Sequence, residues 1–351
     1  MNARLETLIR NTIKEGASDL HLSAGHVPTM RVFGQLTPFV NEATLTKEDM
    51  LSFLDDFLDE GQKKDFLERK EMDFSFQFNG GVRFRGNAFF QRGGVGVALR
   101  IIPDTIPSIS DLNLPSVLEA FTRKKQGFFL VVGPVGQGKS TTLASMVELI
   151  NRERAAHIIT IEHPIEYIYE GKKSLIDQRE VRLDTMDFHS ALRGAFRQDV
   201  DVILMGEMRG PETISAAVTA AETGHLVFST LHTNDAAQTI DRIIDSFPAA
   251  QQPQIRIQLA GSLLGIFSQR LLPRVSGGLI PAYELLINNN AISSLIREGK
   301  THEIHVVIET SSRDGMIDMN RSLADLVRRG EVAPEDAYTH SLNPKVLERL
   351  L

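Results

Sequence analysis

The sequence has no cysteine, no tryptophan and only four tyrosines. Without cysteine there is no disulfide, no thiolate nucleophile, no iron–sulfur cluster and no cysteine-built zinc site. The same absence fits a reducing compartment. No stretch approaches the roughly 18 uninterrupted apolar residues of a membrane-spanning helix. The best apolar run, Leu259 to Leu272, is interrupted by Ser262, Ser268, Gln269 and Arg270. The opening MNARLETLIRNTIKEG lacks a basic start followed by an apolar run, so no secretory signal is expected. A basic excess is also missing: 38 Lys and Arg stand against 45 Asp and Glu, a formal net charge of −7. Nucleic-acid binders carry a basic footprint, often with interleaved aromatics, and this composition counts against that class. No internal repeat and no low-complexity tract is present.

What is present is ordinary for a soluble globular chain: 351 residues, 42% hydrophobic and 24% charged. A length prior of about 150 residues per domain predicts roughly two domains. Leu5, Leu8, Ile9 and Ile13 are spaced as one face of a helix over residues 1–14, which Gly16 ends. Alternating patterns over Asp19–Leu22 and Thr29–Phe33 predict strands. Thr46-Lys-Glu-Asp49 reads as a helix-starting capping box with Asp in place of Glu. Phe74–Phe78, Gly81–Arg85, Asn87–Arg92 and Val95–Ile102 read as a meander, with Gly80-Gly81 and Gly93-Gly94 as turns. Residues 1–102 are therefore expected to be an α+β unit with an antiparallel sheet. Pro103, Pro107 and Pro115 mark residues 103–115 as a linker.

From residue 116 onward the pattern changes. Short apolar strands at Gly127–Val132, His157–Ile161, Val200–Met205 and Leu226–Ser229 alternate with helical segments at 140–152, 187–196 and 211–222. That alternation predicts an α/β domain with a mainly parallel sheet. After Asp235 the chain reads as mostly helical, with Ala291–Gly299 and Asn320–Gly330 as late helices.

Gly133-Pro134-Val135-Gly136-Gln137-Gly138-Lys139-Ser140 fits G-x-x-x-x-G-K-[ST] in full, between an apolar strand and a helix, with Thr141 next. Glycines let the backbone wrap phosphate, and the amides of the loop and helix start face the anion. Lys139 supplies a cation to β- and γ-phosphates, and Ser140 a hydroxyl for Mg²⁺. Asp201-Val-Ile-Leu-Met-Gly-Glu207 is an apolar run ending in an acid suited to hold a magnesium water. Glu162 and Glu166 follow another apolar strand, where a carboxylate can serve as base toward water. His225 and His232 flank the strand at 226–229, and His232 stands where a γ-phosphate sensor would be useful. Arg83, Arg85, Arg92 and Arg100 compete as arginines that could stabilise phosphoryl-transfer charge. Arg193 and Arg197 share one helix face.

Taken together these residues resemble the secretion ATPases of type IV pili and type II secretion. The resemblance runs over nearly the whole chain. It is carried by Ala17-Ser-Asp-Leu-His-Leu22, by Arg83–Arg92, and by the phosphate loop. Ile159–Glu166 resembles the family's Asp box, Leu204–Arg209 its Walker B, Thr223–Thr233 its His box, and Ala291–Glu298 its retraction-linked C-terminal motif. The resemblance implies a PAS-like N-terminal domain, a RecA-like P-loop ATPase domain with C-terminal helices, and a hexameric ring that binds ATP and Mg²⁺. It implies Glu166 as general base with Glu162 beside it, Glu207 in the Walker B role, His225 and His232 in His-box roles, and Arg85 and Arg100 as fingers. It implies a cytoplasmic motor docked at the inner membrane on a platform protein of the pilus machinery, working on pilins, with a paralogous pilus ATPase as a further partner. The assembly-direction relatives usually carry a four-cysteine zinc module, so zero cysteine favours the retraction branch.

The chain departs from the family pattern at His163, Val200, Gly210, Leu264 and Ser293. Two functions stay open on this reading. One is an ATP-hydrolysing motor that drives pilus retraction and twitching motility. The other is an ATP-binding accessory ring with weak hydrolysis of its own.

Overall fold

A computed structural model describes every residue except Phe33, Gly80, Asp104 and Arg209. The end of the strand expected over Thr29–Phe33, the first residue of the Gly80-Gly81 turn, one linker residue and the last residue of Leu204–Arg209 thus lie outside the described residues. The chain divides into two compact units, Met1–Thr105 with Glu166–Ile168, and Ile106–Ile165 with Tyr169–Leu351.

In the first unit, Asn2 caps the helix Ala3–Lys14 by accepting from the Arg4 N–H at 2.9 Å, and Leu5, Leu8 and Ile9 are its buried face. Six strands follow: β1 (Asp19–Ser23), β2 (Thr29–Val32), β3 (Gln35–Pro38), β4 (Glu71–Gln77), β5 (Arg83–Gln91) and β6 (Gly94–Ile102). They form one antiparallel sheet in the order β3-β2-β1-β6-β5-β4. Helices Lys47–Phe57 and Glu60–Arg69 cross between β3 and β4. The expected capping box is present: Asp49 N–H donates to Thr46 Oγ1 at 3.1 Å and Thr46 N–H to Asp49 Oδ2 at 2.9 Å. The core gathers Leu20, Leu22, Phe53, Phe66, Phe74, Phe84 and Val97 on one sheet face.

One expectation needs correction. Gly81–Arg85 and Asn87–Arg92 are not two strands, because β5 runs through Gly86 without a break. A Cβ at Gly86 would lie 2.1 Å from the Phe74 ring. The glycine makes room for a core aromatic and does not mark a turn.

The second unit carries β7 (Gly127–Val132), β8 (His157–Glu162), β9 (Leu175–Glu180), β10 (Val202–Met205), β11 (Leu226–Leu231), β12 (Leu263–Pro273) and β13 (Leu279–Ile287). The sheet order is β13-β12-β7-β11-β10-β8-β9. All neighbours are parallel except the β12–β13 hairpin. Every residue of β7 and β11 is buried, as expected of a sheet covered on both faces. Helices Lys139–Glu153, Phe188–Ala195, Pro211–Glu222 and Ala236–Asp245 follow β7, β9, β10 and β11 respectively, and further helices, among them Asn290–Glu298 and Met319–Arg328, complete the C-terminal part. The fold class expected from the sequence, an α+β unit followed by a RecA-like domain with a mainly parallel sheet and C-terminal helices, is present.

After Asp235 the chain is mostly helical, as expected, but it also holds a strand hairpin that the sequence pattern did not announce. Residues 263–287 form the β12–β13 hairpin on the edge beside β7. A short apolar run is compatible with either helix or strand by periodicity alone. Here Gly265 decides the close approach: a Cβ would stand 2.7 Å from the Leu286 carbonyl oxygen. Two departures from the family pattern have local packing partners. Leu264 lies against Gly127, where a Cβ would meet its Cγ at 2.5 Å. The Ser293 hydroxyl lies 3.0 Å from both the Ala260 carbonyl oxygen and Asn288 Oδ1.

Candidate functional site

β7 ends at Val132 and the helix begins at Lys139. Gly133, Pro134, Val135, Gly136, Gln137 and Gly138 turn between them. Three of these positions, Gly133, Gly136 and Gly138, hold left-handed backbone that favours glycine. Gly133 has φ +145° and a Cβ there would stand 2.5 Å from the Gln269 carbonyl oxygen, while Gly138 enters the helix at φ +77°. The helix start carries Lys139, Ser140 and Thr141, and first-turn N–H groups of a helix lack intrahelical partners. Such N–H groups and the helix dipole form an anion cradle.

Lys139 is only 7% exposed, and its Nζ donates to the carbonyls of Gly133 and Pro134 at 2.8 Å each. The same ammonium lies 3.2 Å from His232 Nδ1. An ammonium has donors only, so Nδ1 accepts and the proton of a neutral ring sits on Nε2. His232 Nε2 faces Glu207 Oε2 at 3.9 Å. One imidazole thus joins the loop cation to the acid at the strand tip. The strand before His232 is longer than expected, since β11 runs to Leu231 and delivers His232 directly beyond its C-terminal end.

Glu207 is placed by its backbone. Gly206 N–H donates to the Ile161 carbonyl at 2.9 Å, and the Thr230 hydroxyl donates to the Gly206 carbonyl at 2.5 Å. Glu162 is buried at the end of β8 and accepts from the Thr160 hydroxyl at 2.7 Å. Thr160 and Gln178, the latter at 3.4 Å, hold its carboxylate within the sheet edge.

His225, in the same unit, is not gathered with these, and Glu166, Arg85 and Arg100 belong to the first unit. His225 precedes β11, its Nδ1 3.0 Å from the Ala220 carbonyl and its ring edge-on to Phe196. The strand Leu226–Leu231 separates it from His232, a span of roughly 20 Å at the usual strand rise. Glu166 is exposed and groups with the first unit. Arg85 and Arg100 lie on the first unit's polar sheet face, in one row with Asp19 and Arg31. Arg100 Nε donates to Asp19 Oδ1 at 2.8 Å, while its side chain is 66% exposed. Burial pushes the Asp19 carboxyl up, but hydrogen bonds from Ser18 and Arg100 outweigh it and hold it below the usual carboxylate range.

Sequence reasoning missed the residues of β12 and β13 that brace this site. Gln269 Oε1 accepts from the Thr142 hydroxyl at 2.7 Å and its Nε2 donates to the Gln137 carbonyl at 2.8 Å. Leu271 N–H donates to Gln137 Oε1 at 2.6 Å. Arg270 and Ser268 reach the segment after His232. Glu284 is buried and accepts from the Ala236 N–H at 2.8 Å. Burial pushes its carboxyl up to about 8. The signal was in the sequence: Ser268, Gln269 and Arg270 interrupt an apolar run, and polar residues in a buried strand require partners.

The residues present fit a nucleotide. Loop and helix-start amides suit phosphates, and the Ser140 hydroxyl and Glu207 carboxylate are oxygen donors of the kind magnesium takes. Among the described residues no group of three or more His, Asp or Glu forms a metal cage. That donor set matches an ion shared with phosphate oxygens. Also among the described residues, no helix is long and apolar enough to cross a membrane.

A complete phosphate loop after the buried parallel strand β7, with an acid at the tip of β10 one strand beyond its neighbour β11, defines a P-loop ATPase. The family profile described as "Type II/IV secretion system protein" matches residues 2–279, and the chain belongs to that family. It is 45% identical to the type IV pilus retraction ATPase PilT of Pseudomonas aeruginosa over 96% of its own length and 98% of that protein. It is also 45% identical to a twitching motility protein of Neisseria gonorrhoeae, over 90% of this chain and 84% of that one. A crystal structure of the pilus retraction motor PilT with bound ADP superposes with a TM-score of 0.93 at 46% identity, covering 98% of each chain.

Proposed function

We propose that this chain is the ATP-hydrolysing subunit of a homo-hexameric motor that drives type IV pilus retraction, and with it twitching motility. The observation that carries the reading is the alignment of Lys139, His232 and Glu207 at the C-terminal edge of the parallel sheet. Support comes from relatives named for retraction and twitching that match nearly the whole chain.

In this reading Gly133 to Thr141 bind the triphosphate, with Lys139 leaving the loop carbonyls for the phosphate oxygens. A magnesium ion held by Ser140 and Glu207 would neutralise charge on those oxygens. His232 reports on the γ-phosphate through Lys139 and Glu207. Glu166 is the proposed base toward water, with buried Glu162 stiffening the strand end before it. Arg85 and Arg100 are the proposed cations for charge developed during transfer. Motor output goes to a platform protein of the inner membrane and from it to the pilins, with the ring on the cytoplasmic side.

The test is complementation. Expressed in a Pseudomonas aeruginosa strain lacking PilT, the chain is expected to restore twitching zones, and Lys139→Ala is expected to leave them absent. An expressed, hexameric wild-type chain that hydrolyses ATP yet restores no twitching would overturn the retraction assignment.

A further inference from the structure

The β12–β13 hairpin contacts two parts of the site at once. Successive residues of a strand point to opposite faces. On one face of β12, Gln269 holds the phosphate loop and the helix after it, through Gln137 and Thr142. Leu271 lies on the same face, 3.3 Å from where a Cβ on Gly138 would stand. On the other face, the Ser268 hydroxyl donates to the Asn234 carbonyl at 2.8 Å. Arg270 donates to that carbonyl at 3.0 Å and to Asn234 Oδ1 at 3.1 Å. Arg270 is buried, and it also donates to its neighbour's carbonyl, Gln269 O, at 3.0 Å. That carbonyl is the one against which Gly133 is packed. Asn234 follows His232 by two residues, and Glu284 on β13 fixes the next turn through the Ala236 N–H.

We propose that β12 is a two-sided clamp. Gln269 positions the phosphate loop for nucleotide binding, and Arg270, with Ser268, positions His232 for turnover. Neither is a catalytic residue; both act through the groups they hold. The inference rests on the ATP-hydrolysing reading for its Arg270 half only, because its Gln269 half concerns binding. The physical basis is the cost of loosening a buried, hydrogen-bonded backbone group, whose freed partners then sample other positions. A guanidinium bonded to two atoms of Asn234 and to Gln269 O cannot be replaced by a point-charge ammonium without losing at least part of that geometry.

The experiment separates the two faces with the full chain. Binding of a fluorescent N-methylanthraniloyl-ADP and steady-state ATP turnover are measured for wild type, Gln269→Leu, Arg270→Lys and Ser268→Ala. Circular dichroism and urea unfolding check that each variant is folded. Gln269→Leu is expected to weaken nucleotide binding by about tenfold, the scale of one or two lost buried hydrogen bonds. Arg270→Lys is expected to lower kcat by about tenfold, with a smaller drop for Ser268→Ala, and to weaken binding by less than about threefold, because Arg270 touches the phosphate loop only through the Gln269 carbonyl and Gly133. In a double-mutant cycle, Arg270→Lys with His232→Ala is expected to be no slower than His232→Ala alone. The clamp is overturned if Arg270→Lys weakens binding as much as Gln269→Leu does, if Gln269→Leu lowers kcat as much as Arg270→Lys does, or if the double variant is slower by the product of the single effects. A wild-type chain that binds the probe but does not turn over ATP refutes the hydrolytic reading, and unchanged binding in Gln269→Leu still refutes the clamp separately.

Discussion

Lys139 donates to His232 Nδ1 at 3.2 Å, so the loop cation fixes which imidazole nitrogen carries the proton. The other nitrogen then looks toward Glu207. His232→Ala breaks this relay but leaves Lys139 its two bonds to the Gly133 and Pro134 carbonyls. Its kcat is expected to fall by about a hundredfold, at the lower end for a group positioned at a reacting centre, with KM for ATP changed less than about threefold. His232→Gln, which retains a donor and an acceptor, is expected to recover part of the rate. Steady-state kinetics on the purified ring checks both.

Gly86 leaves no room for a methyl group in the first unit's core. The Phe74 ring occupies the position a Cβ would need, at 2.1 Å. Gly86→Ala is expected to destabilise that unit by about 1–3 kcal/mol, the usual cost of overpacking a core. Urea denaturation should show a lower midpoint with an unchanged slope.

Glu284 gives the stability of the second unit a pH dependence. Its carboxyl has an ordinary value of 4.5, which burial raises to about 8 in the folded chain. Between those values the folded state holds a proton that the unfolded state has released, so this group makes stability fall as pH rises. Below the lower value the effect vanishes, and above the upper value it is complete. Glu284→Gln keeps an acceptor for the Ala236 N–H and removes the titration. Wild type and variant are expected to differ little at about pH 4 and to diverge, in the variant's favour, up to about pH 9. Urea unfolding at the two pH values reads the difference.

Much of this was legible in the sequence, for identifiable reasons. Gly133 to Ser140 is a pattern whose residue types are dictated by phosphate contact, and its strand–loop–helix setting was visible in Phe128 to Val132. Helix signals such as Thr46 with Asp49 are local, so they survive folding unchanged. The hairpin was not legible, because Leu263 to Leu272 has no period that separates a buried strand from a buried helix. β5 was divided at Gly86 because a glycine weakens a strand pattern in sequence, whereas in space it makes room for the Phe74 ring. The two histidines show the same limit. Both flank one strand, but strand direction alone brings His232 to the phosphate loop and leaves His225 at the far end. The partners of Gln269, Arg270 and Glu284 lie tens of residues away in the chain, where no short pattern could reveal them.

Hydrolysis of ATP at the proposed Lys139–His232–Glu207 centre, in a ring of this chain, underlies the proposed function. The most direct measurement is ATP turnover of the purified protein, with its oligomer mass, beside Lys139→Ala and Glu207→Gln. The account predicts turnover by a hexamer that falls by about a hundredfold or more in both variants. An ATP-binding ring with no turnover of its own, or variants that hydrolyse at the wild-type rate, would contradict it.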